Sequence, residues 1–381
     1  VGGSNLTREE DSVSYQNVIV GGGLAGGMIA QEYREQGGDG SIVIIASEPH
    51  HPYHRPPLTK DFLRGEKPAS DGDMHPPAWW RQNDIEVRTA TTATAIDPEG
   101  HTVTLADGET VAYERLALAT GATPRTIPGT SSIRTIEDST RVASVLDAGE
   151  GHLGVIGGGF IGVEAAASAR MKGLEVTMAV PEAVVWEHLF GPEVGRYFQD
   201  QLESHGVTVL TGTKELPERA YNLVLAGIGV NPNIDLARAA GLATGSGVLV
   251  DEHLSAGDDI WAVGDIAEYQ SVVHGKRIRI EHWDVALNQG AYVGRMWAGK
   301  ESGPYDVVPY FFSDIGDWTW FEYVGPGKGE VEIRGSMAED DFVAYYTDAD
   351  GAVTACLGVN RSDDVNAAKE LITKRQPPPA A

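Results

Sequence analysis

Sulfur chemistry has almost no foothold in this chain. Its 381 residues include one cysteine, Cys356. A single thiol forms no internal disulfide, and no Cys-x-x-Cys pair is present to hold a metal or shuttle electrons. No metal site is expected, and a reducing compartment, the cytoplasm, is the expected home. Long apolar runs are missing too: no stretch of about 18 apolar residues occurs, so no membrane-spanning helix is expected. Positive charge is scarce. Lys and Arg total 29 against 55 Asp and Glu, for a formal net charge of −26. Such a surface repels phosphate backbones and anionic lipid, which argues against nucleic acid and membrane surfaces as partners. It also works against an acidic protein partner unless basic residues cluster locally, and it favours solubility, including in high salt. The first residues, VGGSNLTREEDS, have no apolar core and carry acids, so they read as a tail and not as a signal peptide. Hydrophobic residues make up 41% of the chain and charged residues 22%, a globular composition at a length that suits two or three domains.

What is abundant is glycine, and it is placed with purpose. The stretch NVIVGGGLAGGMIAQEYREQGG, residues 17–38, reads as a buried strand, a glycine turn and a helix. Gly21, Gly23 and Gly26 fall on G-x-G-x-x-G spacing. The first glycine allows a tight turn, the second a close approach of a pyrophosphate, the third close packing of helix on strand. The helix N-terminus then offers free N–H groups to phosphate. A second strand, SIVIIASE, ends at Glu48, 22 positions after Gly26 (48 − 26), where a carboxylate reaches a ribose hydroxyl. The plan recurs in residues 152–182. Gly157, Gly159 and Gly162 take the glycine positions, and Glu182 follows Gly162 by 20 (182 − 162). Two such motifs imply two dinucleotides, most simply a flavin that stays bound and a nicotinamide nucleotide that exchanges. A carboxylate at 182 accepts bonds from both ribose hydroxyls and repels a 2′-phosphate, so NADH is expected over the alternative, NADPH.

The rest of the chain fills in around these units. Prolines at 49, 52, 56 and 57 make the next segment irregular, and Thr59 is expected to cap a short helix through Phe62. Arg55 and Lys60 sit in that segment, where the loops of the first motif converge. Trp79 and Trp80 read as core. HTVTLAD and ETVAYE read as a hairpin, followed by a separate buried strand at residues 116–119 that Gly121 ends. Residues 139–146 and 190–205 read as helices. The strand in YNLVLAGIG ends at Gly227 and Gly229, which should face the second nucleotide. Asp265 follows the apolar run IWAV and a glycine, an arrangement that aims a carboxylate into a cleft. A helix is expected over 283–298, preceded by Glu281 and His282. From Pro304 the chain turns aromatic and reads as antiparallel strands with a closing helix over 363–374; Trp318, Trp320 and Phe321 are expected in the core.

Five stretches, GGGLAGG, HRPPLTKDFL, LALATGATPR, GGGFIGVEAA and AVGDIAEY, with EHWDVALNQG and VPYFFSDIG, resemble the two-dinucleotide flavoprotein reductases of the glutathione reductase class. The likeness is to the ferredoxin and rubredoxin reductases of oxygenase systems, with apoptosis-inducing factor and monodehydroascorbate reductase as relatives. The resemblance implies an α/β fold: two Rossmann-like dinucleotide-binding domains and a C-terminal α+β domain. The FAD domain would comprise residues 1–129 and 247–303, the NAD(P)H domain 130–246, and the third domain 304–381. It implies tightly bound FAD contacted by Gly21, Gly23, Leu24, Ala25, Gly26, Glu48, Arg55, Lys60, Thr91, Ala119, Thr120, Gly121, Arg125 and Asp265. Glu281, His282 and Trp283 would lie beside the flavin ring. Gly157, Gly158, Gly159, Phe160, Ile161, Glu164, Glu182, Gly227, Ile228 and Gly229 would hold the nicotinamide nucleotide. No cysteine pair follows the first motif, which excludes disulfide reduction, and the basic residue expected after EHWD for ascorbyl recognition is replaced by ALNQ. The implied activity is passage of hydride from NADH to FAD and of electrons to a [2Fe–2S] ferredoxin or a rubredoxin. Quinones or other small acceptors are one alternative, and a slow NADH-sensing flavoprotein is another. The protein is expected as a monomer or homodimer. Finally, Lys60 on the flavin-side loop and Glu164 on the nicotinamide-side helix, the expected catalytic residues, are expected to form an ion pair, because both motifs aim at the junction of the two rings.

Overall fold

The structure, a computed structural model, describes residues 13–380. The expected N-terminal tail lies outside them. Strand Val13–Val20 is the axis of the first sheet. It pairs in parallel with Ile42–Ile45 on one side and Thr110–Leu118 on the other. Ile85–Arg88 extends the sheet beyond Ile42–Ile45, and Ile260–Ala262 beyond Thr110–Leu118. Central strands of a parallel sheet are covered on both faces, which is why 18–20 and 42–45 are uninterrupted Val and Ile, all 5% exposed or less. The sheet is thus assembled from segments more than 130 residues apart in sequence (255 − 118 = 137).

A second parallel sheet runs Val207–Thr211, Glu175–Val180, His152–Ile156, Leu223–Ala226. An antiparallel ribbon of Ala122–Pro124 with Val230–Pro232 ties the two sheets' loops together. The C-terminal unit is a five-stranded antiparallel sheet, from Tyr310–Ile315 at one edge to Glu330–Ser336 at the other, closed by helix Ser362–Lys374. It shares an aromatic core with the second unit: Phe321 lies 4.7 Å from Phe198 and 5.5 Å from Trp186, ring centroid to centroid.

Several local readings change. Residues 110–118 form one nine-residue strand, not two. Its first half pairs antiparallel with Thr102–Leu105 and its second half is buried in the parallel sheet, so a change of partner, not a chain break, separates the two patterns. Helix Ile136–Leu146 starts earlier than expected because Thr135 and Asp138 make a reciprocal capping box. The helix over Glu187–Ser204 breaks at Gly191, whose φ of 83° is left-handed, just before Pro192. Thr59 caps nothing: residues 56–59 form a 3-10 turn, and its hydroxyl bonds a distant carboxylate. Of the three aromatics expected in the C-terminal core, Phe321 is buried, Trp318 stacks on His205 with centroids 4.2 Å apart, and Trp320 is 39% exposed.

The glycines fix how closely the layers approach. At Gly21 φ is 127°, and a Cβ there would meet Ala119 O at 2.1 Å; at Gly26 it would meet Gly21 O at 2.1 Å. Helix Leu24–Glu35 also packs on helix Trp283–Trp297 through Gly290 and Gly294, where a Cβ would lie 2.4 Å from Ala25 O and 2.6 Å from Ile29 O. Backbone cannot yield as a flexible side chain can, so Gly294→Val is expected to cost about 1–3 kcal/mol, read as a lower urea midpoint.

Candidate active site

The first glycine turn opens onto a cluster of charged side chains. Glu48, just past Ile42–Ile45, receives Arg55 Nη2 at 2.6 Å and the Tyr53 hydroxyl at 2.7 Å. Arg55 donates to Arg134 O at 2.5 Å, and Arg134 Nη2 sits 2.7 Å from Asp265 Oδ2. Asp265 follows strand Ile260–Ala262, on the same sheet that carries Gly21 and Ala119 at its strand ends. Thr120 and Asn233 exchange two hydrogen bonds of 2.7 and 2.9 Å, binding the end of Thr110–Leu118 to the loop after the ribbon. The structure therefore brings Glu48, Arg55, Gly121 and Asp265 into one cluster, with Gly121 packed on Arg134. Thr91 donates its backbone N–H to Ala46 O near the end of Ile42–Ile45. Arg125 makes its contact elsewhere, to Asn231 of the ribbon at 3.0 Å.

The second turn repeats the backbone geometry. Gly157 has φ 98°, and Gly162 and Gly227 pack with a would-be Cβ of Gly227 3.0 Å from Gly162 Cα. Gly227 is thus a packing partner of the turn itself. Gly159 begins helix Phe160–Met171, Gly158 packs on Val180, and Ile161 is 39% exposed. Ile228 packs on Gly157, while Gly229 accepts a bond from Arg125 N at its carbonyl. Glu182 lies on the loop past Glu175–Val180, 3.3 Å from His188 Nδ1.

Lys60, which ends the 3-10 turn of residues 56–59, meets Glu164 of helix Phe160–Met171. Lys60 Nζ is 3.5 Å from Glu164 Oε1, and their side chains are 10% and 8% exposed. Glu164 is held on both oxygens, by the Thr59 hydroxyl at 2.5 Å and the Ser313 hydroxyl at 2.6 Å. Lys60 has a second carboxylate, Asp314 Oδ2, at 3.0 Å, and its ammonium lies 5.2 Å from the centre of the Phe312 ring. Nearby, His282 packs on Phe311 at 4.9 Å, and burial pushes its imidazole down to about 4. Trp283 donates to His54 Nδ1 at 3.0 Å, and Glu281 pairs with Arg279. Thr59, Ser313, Asp314, Arg134, Tyr53 and His54 were not among the expected site residues. Ser313 and Asp314 carried a signal in SDIG. Arg134 carried none, being one arginine in a run of small residues.

The residues fit a dinucleotide. Gly23 begins helix Leu24–Glu35, and a Cβ there would meet nothing within 4 Å, which leaves open space beside the helix N-terminus. Arg134 Nε and His282 Nδ1 are buried without a hydrogen-bond partner, as a waiting donor and a waiting polar atom of a ligand cradle would be.

Comparison with known proteins agrees with this geometry. The model for pyridine nucleotide-disulphide oxidoreductases matches residues 15–290, and the model for a reductase C-terminal domain matches residues 310–381. The chain belongs to the pyridine nucleotide-disulphide oxidoreductase family. It is 35% identical to putidaredoxin reductase of Pseudomonas putida, over 94% of this chain and 92% of that protein. It is 33% identical to the ferredoxin–NAD(+) reductase component of the anthranilate 1,2-dioxygenase system of Burkholderia cepacia, over 93% of each. Among solved structures, the covalent putidaredoxin reductase–putidaredoxin complex matches with a TM-score of 0.89 at 33% identity, over 96% of this chain and 94% of that one. Membership does not bring disulphide chemistry with it. Cys356 is fully buried in the C-terminal sheet, and burial raises its thiol pKa far above the usual range. Among the described residues no helix is long and apolar enough to cross a membrane, and no cluster of metal-binding side chains occurs.

His282 gives the site a pH signature. Its folded value near 4 lies below the ordinary 6.5, so between those values the unfolded chain binds the extra proton. The stability that neutral His282 contributes is complete above 6.5 and is lost as pH falls toward 4. The urea midpoint should drop over that window, and less steeply in His282→Gln, whose side chain does not titrate.

Proposed function

We propose that this protein is an FAD-dependent NADH oxidoreductase that delivers electrons to a small iron–sulfur protein of the ferredoxin or rubredoxin type. The observation that carries the reading is the buried Lys60–Glu164 pair, which joins the proline-rich loop of the first unit to the helix that follows the second glycine turn. Family membership and relatives named as reductases of ferredoxin and putidaredoxin support it. Residues 1–129 and 247–303 form the FAD domain, 130–246 the NADH domain and 304–381 the third domain, and the protein works in the cytoplasm.

When bound, the flavin takes up a hydride as an electron pair and can release electrons singly. The chain's residues do the rest. Gly21, Gly23 and Gly26, with Leu24 and Ala25 behind them, leave room for a pyrophosphate at the helix N-terminus. Glu48 serves the ribose, and Arg55, Arg134 and Asp265 line the path beyond it. Ala119, Thr120 and Gly121 present backbone at the strand end. His282, neutral above pH 4, and Trp283 close the site with apolar surface and exclude water. Gly157, Gly158, Gly159, Phe160 and Ile161 receive the nicotinamide nucleotide, with Glu182 at its ribose. Lys60 stabilises the negative charge that hydride acceptance creates, and Glu164 holds the ammonium in place.

Two variants test the roles. Lys60→Met should slow bleaching of the flavin band, at about 450 nm, on the order of tenfold or more in stopped-flow mixing with NADH, the scale of a lost electrostatic donor. It should also lower the flavin potential. A rate equal to wild type with a lower melting temperature would reduce the pair to a structural salt bridge. Glu182→Ala should raise the NADPH/NADH ratio of kcat/KM; an unchanged ratio would remove Glu182 from coenzyme choice. For the acceptor, fast turnover with a ferredoxin supports the reading. Faster turnover with a quinone, or a long-lived charge-transfer complex that barely turns over, would overturn it.

A further inference from the structure

Strand Tyr310–Ile315 reaches the Lys60–Glu164 pair with three consecutive residues, and only two of them are explained by tethering. Ser313 holds Glu164, and the Phe312 ring covers the ammonium. Asp314 instead brings a second carboxylate, and at 3.0 Å it is nearer to Lys60 Nζ than Glu164 is at 3.5 Å. One ammonium therefore faces two opposing charges. Lys60 does not need the second to stay in place. Its own stem is buried, and Glu164 is pinned by Thr59 and Ser313. Nor does Asp314 have another cation to serve among the described residues. It shares a polar recess of about 40 Å³ with Lys60, Asp61, Arg64, Glu164, Ser168 and Gly316. There Arg64 is committed to Asp61 and Glu66, each at 2.7 Å. Among the described residues Lys60 is the only cation paired with Asp314. The Asp314 side chain is also 42% exposed, against 8% for Glu164, so the recess side of the ammonium is the solvent side.

We propose that Asp314 is a positioning residue that sets the flavin potential by opposing the charge of Lys60. Its carboxylate cancels part of the ammonium's field and draws Nζ toward the recess, so the reduced, more negative state of the cofactor gains less from Lys60. The chain thereby gives up some driving force for accepting a hydride and gains driving force for passing electrons on. This rests on the proposed function, since it assumes that Lys60 acts on the flavin.

The test is a redox titration of the purified holoprotein against a reference dye, which reads a potential and not a rate. In Asp314→Asn, which keeps shape and removes charge, the ratio of reduced to oxidised flavin at a fixed solution potential should rise about tenfold. That is about +30 mV for a two-electron couple. Asp314→Glu should restore the wild-type value, and Lys60→Met should move the potential the opposite way. A lowered potential in Asp314→Asn would mean that Asp314 merely holds Lys60 in place, and an unchanged one that it has no electrical role; either overturns the proposal, as does an Asp314→Glu protein that behaves like Asp314→Asn. A purified protein without flavin, or with flavin that NADH cannot bleach, overturns the functional reading and this proposal together. A flavin bleached normally by NADH but unmoved by Asp314→Asn overturns this proposal alone.

Discussion

A buried lysine and a buried glutamate set the terms for the assembly of the molecule. Lys60 comes from the loop after the first unit's second strand, Glu164 from helix Phe160–Met171 of the second unit, and the Ser313 that completes Glu164 from the edge of the third sheet. Stranding one member of such a pair costs about 3–5 kcal/mol, a large share of the usual stability of a domain. All three units must therefore meet in one register. The reverse bond, Ser168 Oγ to Thr59 O at 2.7 Å, and the Ser139 hydroxyl to Leu58 O at 2.6 Å fasten the same loop to the second unit. A loop made irregular by four prolines, with only a short 3-10 turn of its own, is thus held by side chains from elsewhere.

The glycines make that meeting possible. Each nucleotide turn needs a strand end, a helix start and a neighbouring strand end within backbone contact, and only residues without Cβ permit it. Gly21 against Ala119 and Gly157 against Gly227 are the same solution twice. Where the solutions differ is instructive. The first unit borrows helix Trp283–Trp297 from far along the chain, through Gly290 and Gly294. The second completes its core with aromatic side chains shared with the C-terminal sheet. One neighbour is fitted by absence of side chain, the other by bulk.

Much of this was legible in the sequence because it depends on local pattern. Both motifs and the parallel strands follow from glycine spacing and apolar runs, and the Lys60–Glu164 contact follows from the family resemblance carried by HRPPLTKDFL and GGGFIGVEAA. What escaped the reading depends on the partner, not the pattern. Thr59 looks like a helix cap because threonine before a short polar run usually is one, yet Glu164, 105 positions away, claims its hydroxyl. Residues 110–118 look like two strands because one half alternates and the other does not. The alternation ends where an antiparallel neighbour gives way to parallel neighbours on both sides. Trp320 looks like core because it stands between Trp318 and Phe321, but alternation on a strand sends it to the opposite face from Phe321. Arg134 could not have been found, since its importance lies entirely in Asp265 and Arg55, which the fold alone brings near.

The family models divide the chain between residues 290 and 310, but the physical division is less clean. Phe321 and Phe342 belong to the same buried cluster as Trp186, Phe190 and Phe198 of the second unit, and Tyr346 donates to Phe190 O at 3.0 Å. Without the C-terminal sheet, that aromatic face would lie open to water and Glu164 would lose the Ser313 hydroxyl. The sheet therefore does two kinds of work. Its apolar residues close the core of the second unit, and its polar residues finish the charge arrangement around Lys60 and Glu164. On the edge strand Tyr310–Ile315, Ser313 and Asp314 point different ways, one to the buried carboxylate and one to the solvent side of the ammonium. That places the third unit within the electrostatics of the site, although it carries neither glycine motif.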